Sequence, residues 1–280
     1  MSETRQTSET RQKIETRQEE FLRALAAAPE SLLMLDYDGT LAPFHTERSK
    51  ALPYAGVLER LARIQSMPGS GFVLVSGRPA AEVVRLMQPL EGFVIYGAHG
   101  LEVMEADGQL ERAALTERDA RALKTARGLL EDLGLTAAIE EKAGGLALHW
   151  REQEQHAAEQ MRALALRQWT PLLTGTSLRI LPFDGGLELR VTKPDKGDAV
   201  RAILAGLPAG ACVAYLGDDA TDEDAFGAVS TAMGTAGLAV LVRTEWRATR
   251  AEAWLRPPDE LLDFLDGWIA AAAEKQTGQR

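Results

Sequence analysis

Short apolar runs alternate with longer stretches whose apolar residues recur at helical spacing, and that alternation organises most of the chain. Leu32 to Leu35 is followed by a helical pattern over Ala55 to Met67, then by Phe72 to Val75, a helix at Ala80 to Gln88, and Phe93 to Tyr96. Strand, helix, strand in repetition is the βαβ signature of a parallel sheet with helices on both faces. The pattern returns after residue 190, with a helix near Gly197 to Ala205, a strand at Cys212 to Leu216, a helix at Thr221 to Val229, a strand at Leu238 to Val242 and a closing helix at Pro258 to Ala272. The expected fold is α/β, a doubly wound, Rossmann-like parallel sheet.

The segment from 107 to 186 breaks this rhythm. A long helix at Thr116 to Leu133 precedes two strands, Ala137 to Glu141 and Leu146 to Arg151, then a helix at Glu154 to Trp169 and a hairpin of Leu178 to Leu181 with Leu187 to Val191 around Asp184-Gly185-Gly186. The expectation is a smaller α/β unit at 107–186 inserted into a core of 19–106 and 187–280. Ahead of the core, Glu-Thr-Arg-Gln occurs three times at a six-residue step within residues 1–18. With almost nothing apolar between the repeats, that segment reads as a flexible or solvated helical extension leading into an amphipathic helix at Glu19 to Ala28.

Composition narrows the function. Formal charge is −10 and no Lys or Arg cluster dominates a segment, so nucleic acid and anionic membranes are poor partners. No apolar run reaches the roughly 18 residues of a membrane span, and no basic-then-apolar leader opens the chain. The single cysteine, Cys212, lies in an apolar run and can form no internal disulfide. A cytoplasmic protein acting on a small molecule is expected.

Four stretches combine polar chemistry with element ends. The strand Leu32 to Leu35 delivers Asp36-Tyr37-Asp38-Gly39-Thr40 at its carboxyl end, where open parallel sheets bind ligands; a turn held by Asx hydrogen bonds is the other reading. Ser76-Gly77-Arg78 after the next strand offers a hydroxyl and free N–H groups to a phosphate oxygen, or is a common turn. Lys196 opens a helix, where a cation is unfavourable unless an anion joins it; a surface lysine is the alternative. Asp218, Asp219, Asp222, Glu223 and Asp224 follow the strand ending at Leu216, more acids than a helix cap explains and a suitable set for a hard divalent cation.

In order and spacing these four pieces resemble the haloacid dehalogenase superfamily of phosphotransferases. The resemblance implies Asp36 as nucleophile, Asp38 as general acid and base, Ser76, Gly77 and Lys196 on the phosphoryl oxygens, and Mg²⁺ held by Asp36, the backbone carbonyl of Asp38 and Asp218. It also implies that the inserted unit is a cap that closes over the site and reads the leaving group.

Gly97-Ala98-His99-Gly100-Leu101-Glu102, Ile139 to Lys142 leading to Ala147 to Arg151, Leu187 to Arg190, and Gly217 to Phe226 are each similar to segments of trehalose-6-phosphate phosphatases. That family resemblance implies hydrolysis of trehalose 6-phosphate, a disaccharide phosphate, with Glu140, Lys142 and Glu188 on sugar hydroxyls, Arg78 and His99 lining the substrate site, and a functional link to a trehalose-6-phosphate synthase. Blander roles stand beside these. Glu140 and Lys142 share a strand face and suit an exposed ion pair, and His149 fits a structural side chain. Trp246 to Trp254 with Arg243, Arg247 and Arg250 suits either an anion patch or solvated packing. One departure is that Val191-Thr192 follows Glu188-Leu189-Arg190 where the family usually has proline, with Pro194 only later. The alternative functions are a phosphatase of sucrose 6-phosphate, glucosylglycerol phosphate or mannosyl-3-phosphoglycerate, and a non-catalytic sugar-phosphate-binding protein.

Overall fold

The computed structural model describes residues 3–45, 47–151, 153–183 and 185–278. The chain forms two compact units, Met1–Glu111 with Asp195–Arg280, and Arg112–Pro194. In chain order the first unit begins with α1 (Glu3–Ala27), β1 (Ser31–Leu35), α2 (Val57–Ser66), β2 (Ser70–Val75), α3 (Ala80–Leu86), β3 (Val94–Gly97), β4 (Glu102–Met104) and β5 (Leu110–Arg112). The second unit comprises α4 (Glu117–Glu131), β6 (Ile139–Lys142), β7 (Gly145–His149), α5 (Gln155–Trp169), β8 (Leu178–Phe183) and β9 (Gly186–Val191). The first unit then resumes with α6 (Lys196–Ala205), β10 (Cys212–Gly217), α7 (Glu223–Met233), β11 (Gly237–Val242), β12 (Ala253–Leu255) and α8 (Asp259–Gly278).

The large sheet runs β12-β11-β10-β1-β2-β3-β4-β5. Its strands from β12 to β3 are parallel, and β4 turns back antiparallel on β3. Side chains alternate across the pleat, so Leu33 and Leu35 enter one apolar layer and Met34 the other. The first layer packs Phe21, Leu25, Val57, Leu61, Ile64 and Trp268 from α1, α2 and α8, with Ala80 and Val83 of α3. The second packs Ala199 and Val200 of α6 with Ala225, Phe226 and Val229 of α7. Both faces of β10 and β11 are covered, and every residue of these strands is buried, Cys212 among them. Beyond the expected strands lie β4, β5 and β12, each too short to show a period of two.

In the second unit the four-stranded antiparallel sheet has the order β6-β7-β9-β8. Its core includes Leu146, Leu148, Leu187 and Leu189 together with Ala126, Leu130, Met161 and Trp169 from α4 and α5. The Trp169 indole Nε1 donates to the Ala126 carbonyl at 3.3 Å, so the ring buries without an orphaned donor.

Two expected boundaries shift. The returning core is expected to open at residue 187, but β9 pairs with β7 and β8 on its two edges and buries Leu187, Leu189 and Val191 in the second unit, which therefore runs to Pro194. Likewise the core extends past 106 through the β4–β5 edge. The expected flexible extension is helix from Glu3 onward, and Arg17 Nε reaches Glu252 at 2.7 Å. Met1 and Ser2 lie outside the described residues, as does Asp184 of the expected β8–β9 turn. Among the described residues no helix is long and apolar enough to cross a membrane.

Candidate active site

Parallel pairing decides where the polar residues gather. Leu35 is in register with Leu216 on one side and Leu74 on the other, so β1, β10 and β2 end together, and Asp36, Asp218 and Ser76 leave the same sheet edge. Asp36 N still donates to Leu216 O at 2.9 Å, which pins its side chain at the strand end.

Lys196 comes to this edge at the first position of α6, whose start is fixed by a capping box between Asp195 and Asp198. Its buried ammonium lies 2.8 Å from Asp36 Oδ1 and 2.7 Å from Asp222 Oδ1. The anions that a cation at a helix start requires are thus carboxylates of the protein itself. Burial favours the neutral amine, yet Asp222 and Asp36 outweigh it and hold Lys196 protonated, its pKa above the ordinary value.

Three buried carboxylates cluster here, two of them on that one ammonium. Asp36, Asp218 and Asp222 each present an oxygen within 4.8 Å of the others. Burial, reinforced by Asp222 and Asp218 and opposed by Lys196, pushes Asp36 well above the usual carboxylate range. Asp218 is pushed up to about 7 by burial, then by Asp222 and Asp219. An excess of buried oxygen anions is what a hard divalent cation relieves, so the donor set fits Mg²⁺. Asp222 plays a different part from the other two. Its Oδ1 accepts from Lys196 and from the Tyr215 hydroxyl at 2.6 Å, and its Oδ2 accepts from the N–H groups of Asp218 and Asp219, each at 3.0 Å. With both oxygens committed, Asp222 orients the lysine and shapes the acidic loop. In the sequence it is one of five acids with no role of its own, and its place one turn after Asp218 is the signal that could have singled it out.

The phosphate-type loop is laced to the segment after β3. Ser76 N donates to Tyr96 O at 2.8 Å, His99 N to Ser76 O at 2.9 Å, and Ala98 N to Arg78 O at 2.8 Å. Ala98 and His99 adopt left-handed backbone at φ 48° and 59°, a conformation that costs non-glycine residues about 1–2 kcal/mol each. The strain sets the His99 imidazole against Gly77, where a Cβ would stand 2.8 Å from its Cε1 and Nε2. Buried Glu102, the last residue of the Gly97 to Glu102 motif and one of which no role is expected, accepts from Ala80 N at 3.0 Å and ties the start of α3 to β4.

Arg78 is tied to a neighbouring carboxylate of the site. Expected on the substrate, its guanidinium is 2% exposed and lies on Asp38, with Nε to Oδ2 and Nη2 to Oδ1 both at 2.6 Å, while Nη1 donates to Arg48 O at 2.9 Å and to Glu82. A guanidinium fork matches one carboxylate so well that it holds Asp38 in place instead of facing solvent. Arg247 is another surprise, since its Nη2 donates to Asp219 O at 2.7 Å and it pairs with Glu223 at 2.5 Å, steadying the acidic loop from its carbonyl side.

In the second unit, Glu140, Ala147 and Glu188 are register partners across β6, β7 and β9, which puts Glu140, Lys142, His149 and Glu188 on one sheet face. Lys142 Nζ lies 3.6 Å from Glu188, and His149 Nε2 lies 2.7 Å from Glu140. Glu140 and Lys142 therefore share a face but pair with other residues.

Similarity to known proteins agrees with this geometry. The family model described as trehalose-phosphatase matches residues 34–255. A bifunctional trehalose-6-phosphate synthase/phosphatase of Thermoproteus tenax is 31% identical over 204 residues, 72% of this chain and 27% of that protein. A trehalose-phosphate phosphatase of Mycobacterium marinum is 31% identical over 251 residues, 84% of this chain and 60% of its own length. The chain thus spans less than two thirds of the length of these relatives. The fold is shared with trehalose-6-phosphate phosphatase of Aspergillus fumigatus, at a TM-score of 0.65 and 23% identity, over 90% of this chain and 97% of that one. With the family model covering most of its length and the buried Asp36, Lys196 and Asp218 side chains assembled at one sheet edge, the chain belongs to the trehalose-phosphatase family.

Proposed function

We propose that the protein hydrolyses trehalose 6-phosphate to trehalose and phosphate, using Asp36 as a covalent phosphoryl acceptor. The observation that carries this reading is the buried Asp36–Lys196–Asp218 cluster, in which a carboxylate oxygen sits 2.8 Å from a charged ammonium at a sheet edge. In the first half-reaction an Asp36 oxygen bonds to phosphorus while the bond from phosphorus to the sugar oxygen breaks, and Asp38 supplies the proton that oxygen needs. In the second, Asp38 takes a proton from water, the water oxygen bonds to phosphorus, and Asp36 regains its carboxylate. Asp38 must turn at least one oxygen away from Arg78 to perform either transfer.

Lys196, the Ser76 hydroxyl and the Gly77 N–H would meet the phosphoryl oxygens, lowering the repulsion that a carboxylate meets on approaching a phosphate dianion. Asp36, Asp218 and the Asp38 carbonyl would hold Mg²⁺, which when bound supplies the positive charge that buried carboxylates and phosphate together require. Sugar hydroxyls are assigned to Glu140, Lys142 and Glu188, whose carboxylates and ammonium offer the acceptors and donors a disaccharide matches. His99 and Arg78 are assigned to the substrate side of the phosphate loop, Arg78 through its hold on Asp38. Because the Thermoproteus tenax relative is by name both synthase and phosphatase, a synthase is the proposed source of substrate.

Phosphate release from trehalose 6-phosphate and from sucrose 6-phosphate tests the reading, with Asp36→Asn as control. The first ester should be cleaved in preference, the variant should be inactive, and a chelator should abolish turnover until Mg²⁺ is restored. Cleavage of sucrose 6-phosphate with trehalose 6-phosphate ignored would overturn the substrate assignment, and an active Asp36→Asn would overturn the mechanism.

A further inference from the structure

The loop joining β1 to α2 carries an exposed phenyl ring. Phe44 is 70% exposed, while the residues around it belong to the catalytic strand end. An isolated apolar side chain on a surface needs no explanation. What distinguishes this one is its neighbour, because a Cβ added to Gly39 would stand 2.9 Å from Phe44 Cε2 and 2.3 Å from Asp218 Oδ2. The ring edge and the Asp218 carboxylate flank one α-carbon, and that α-carbon follows Asp38 directly.

A second aromatic residue of the same loop stands close by. Tyr54 N donates to Leu41 O at 2.9 Å, which folds the far end of the loop back onto the catalytic turn. Burial and the Asp218 charge together raise the pKa of the Tyr54 phenol. Two aromatic residues of one loop therefore adjoin the catalytic turn, and one of them, Phe44, leaves most of its ring open to solvent.

Stereochemistry limits what can lie against that face. In the reaction proposed above, the ester oxygen must come within hydrogen-bond reach of Asp38 to receive its proton. A hexose 6-phosphate holds its pyranose ring only one methylene beyond that oxygen, so the ring must lie near the carboxyl end of β1, where the Phe44 loop also runs. Hydroxyls occupy the rim of such a ring and C–H groups its faces, and a phenyl face suits the latter as charged side chains suit the former.

We propose that Phe44 is a specificity-determining residue that stacks on the C–H face of the hexose bearing the phosphate. The inference rests on the phosphatase reading, which its test keeps separate. Phe44→Ala should raise KM for trehalose 6-phosphate about tenfold, comparable to removing a small apolar group from a specificity pocket, with kcat little changed. Inhibition by inorganic phosphate, which has no ring, should be unaltered, and Phe44→Trp should keep KM near the wild-type value. An unchanged KM in Phe44→Ala overturns the proposal. So does an equal weakening of phosphate inhibition, which would mean that the substitution distorts the loop and that stacking on the sugar is not what it removes. A wild-type protein inert to trehalose 6-phosphate would instead sink the substrate assignment, and this inference with it.

Discussion

Asp222 concentrates four hydrogen bonds on one fully buried carboxylate, and their loss should be felt as stability before it is felt as chemistry. Asp222→Ala strands Lys196 with one partner fewer and leaves the Tyr215 hydroxyl and two loop N–H groups unsatisfied. Breaking a buried ion pair from one side costs about 3–5 kcal/mol, and a urea titration should show a fall of that order. Tyr215→Phe removes one donor only and should cost about 1 kcal/mol. Asp119 in the second unit makes the complementary case for pH. Burial raises its pKa, but the Ser177 N–H at 2.8 Å, the Thr116 and Ser177 hydroxyls at 2.7 and 2.9 Å and nearby Arg118 bring the net shift below the ordinary 3.8. A carboxylate with a depressed folded pKa stabilises above its unfolded value and ceases to do so as pH falls through the folded one. Asp119→Asn should therefore lower Tm at pH 7, and its deficit against wild type should shrink as pH drops below about 4.

At the scale of elements, the segment between β3 and β4 works as a brace for the phosphate loop. Two consecutive left-handed residues would relax if nothing held them, and the hydrogen bonds to Ser76 and Arg78 supply the restraint. Gly77 is then glycine for a steric reason, since the His99 ring fills the space of a side chain there. Gly77→Ala should lower Tm, and adding His99→Ala should return most of the loss. A double-mutant cycle is expected to give a coupling of about 1 kcal/mol, and additive effects would mean that the two residues do not touch. The strand before this segment, β3, was legible as an apolar run, but neither the brace nor β4 was. Left-handed backbone at Ala98 has no signature in residue type, and His99 offers only a weak one.

For the whole molecule, the N-terminal helix belongs to the core of the first unit. Phe21 and Leu25 are completely buried, and the Phe21 ring lies 5.9 Å from that of Trp268 in α8. Phe21→Ala should destabilise by about 3–5 kcal/mol, visible as a lower denaturation midpoint, whereas a merely appended helix would tolerate it. The repeats that precede this pair suggest an independent extension when read alone. Their sequence reads as a helical extension leading into the amphipathic segment, and α1 runs from Glu3 to Ala27 as one helix.

The alternation of short apolar runs with helical stretches determined the parallel sheet, and the motifs at element ends, through the family they resemble, determined which chemistry to expect of Asp36, Asp38, Ser76, Lys196 and Asp218. These are local properties, written in neighbouring side chains. Tertiary structure alone decided that Arg78 grips Asp38, that Asp222 orients Lys196, that β9 serves the second unit and that Phe44 stands over Gly39. Each depends on strand register or on loops returning across the sheet edge, and most partners so chosen lie tens of residues apart or more, where no local pattern can specify them.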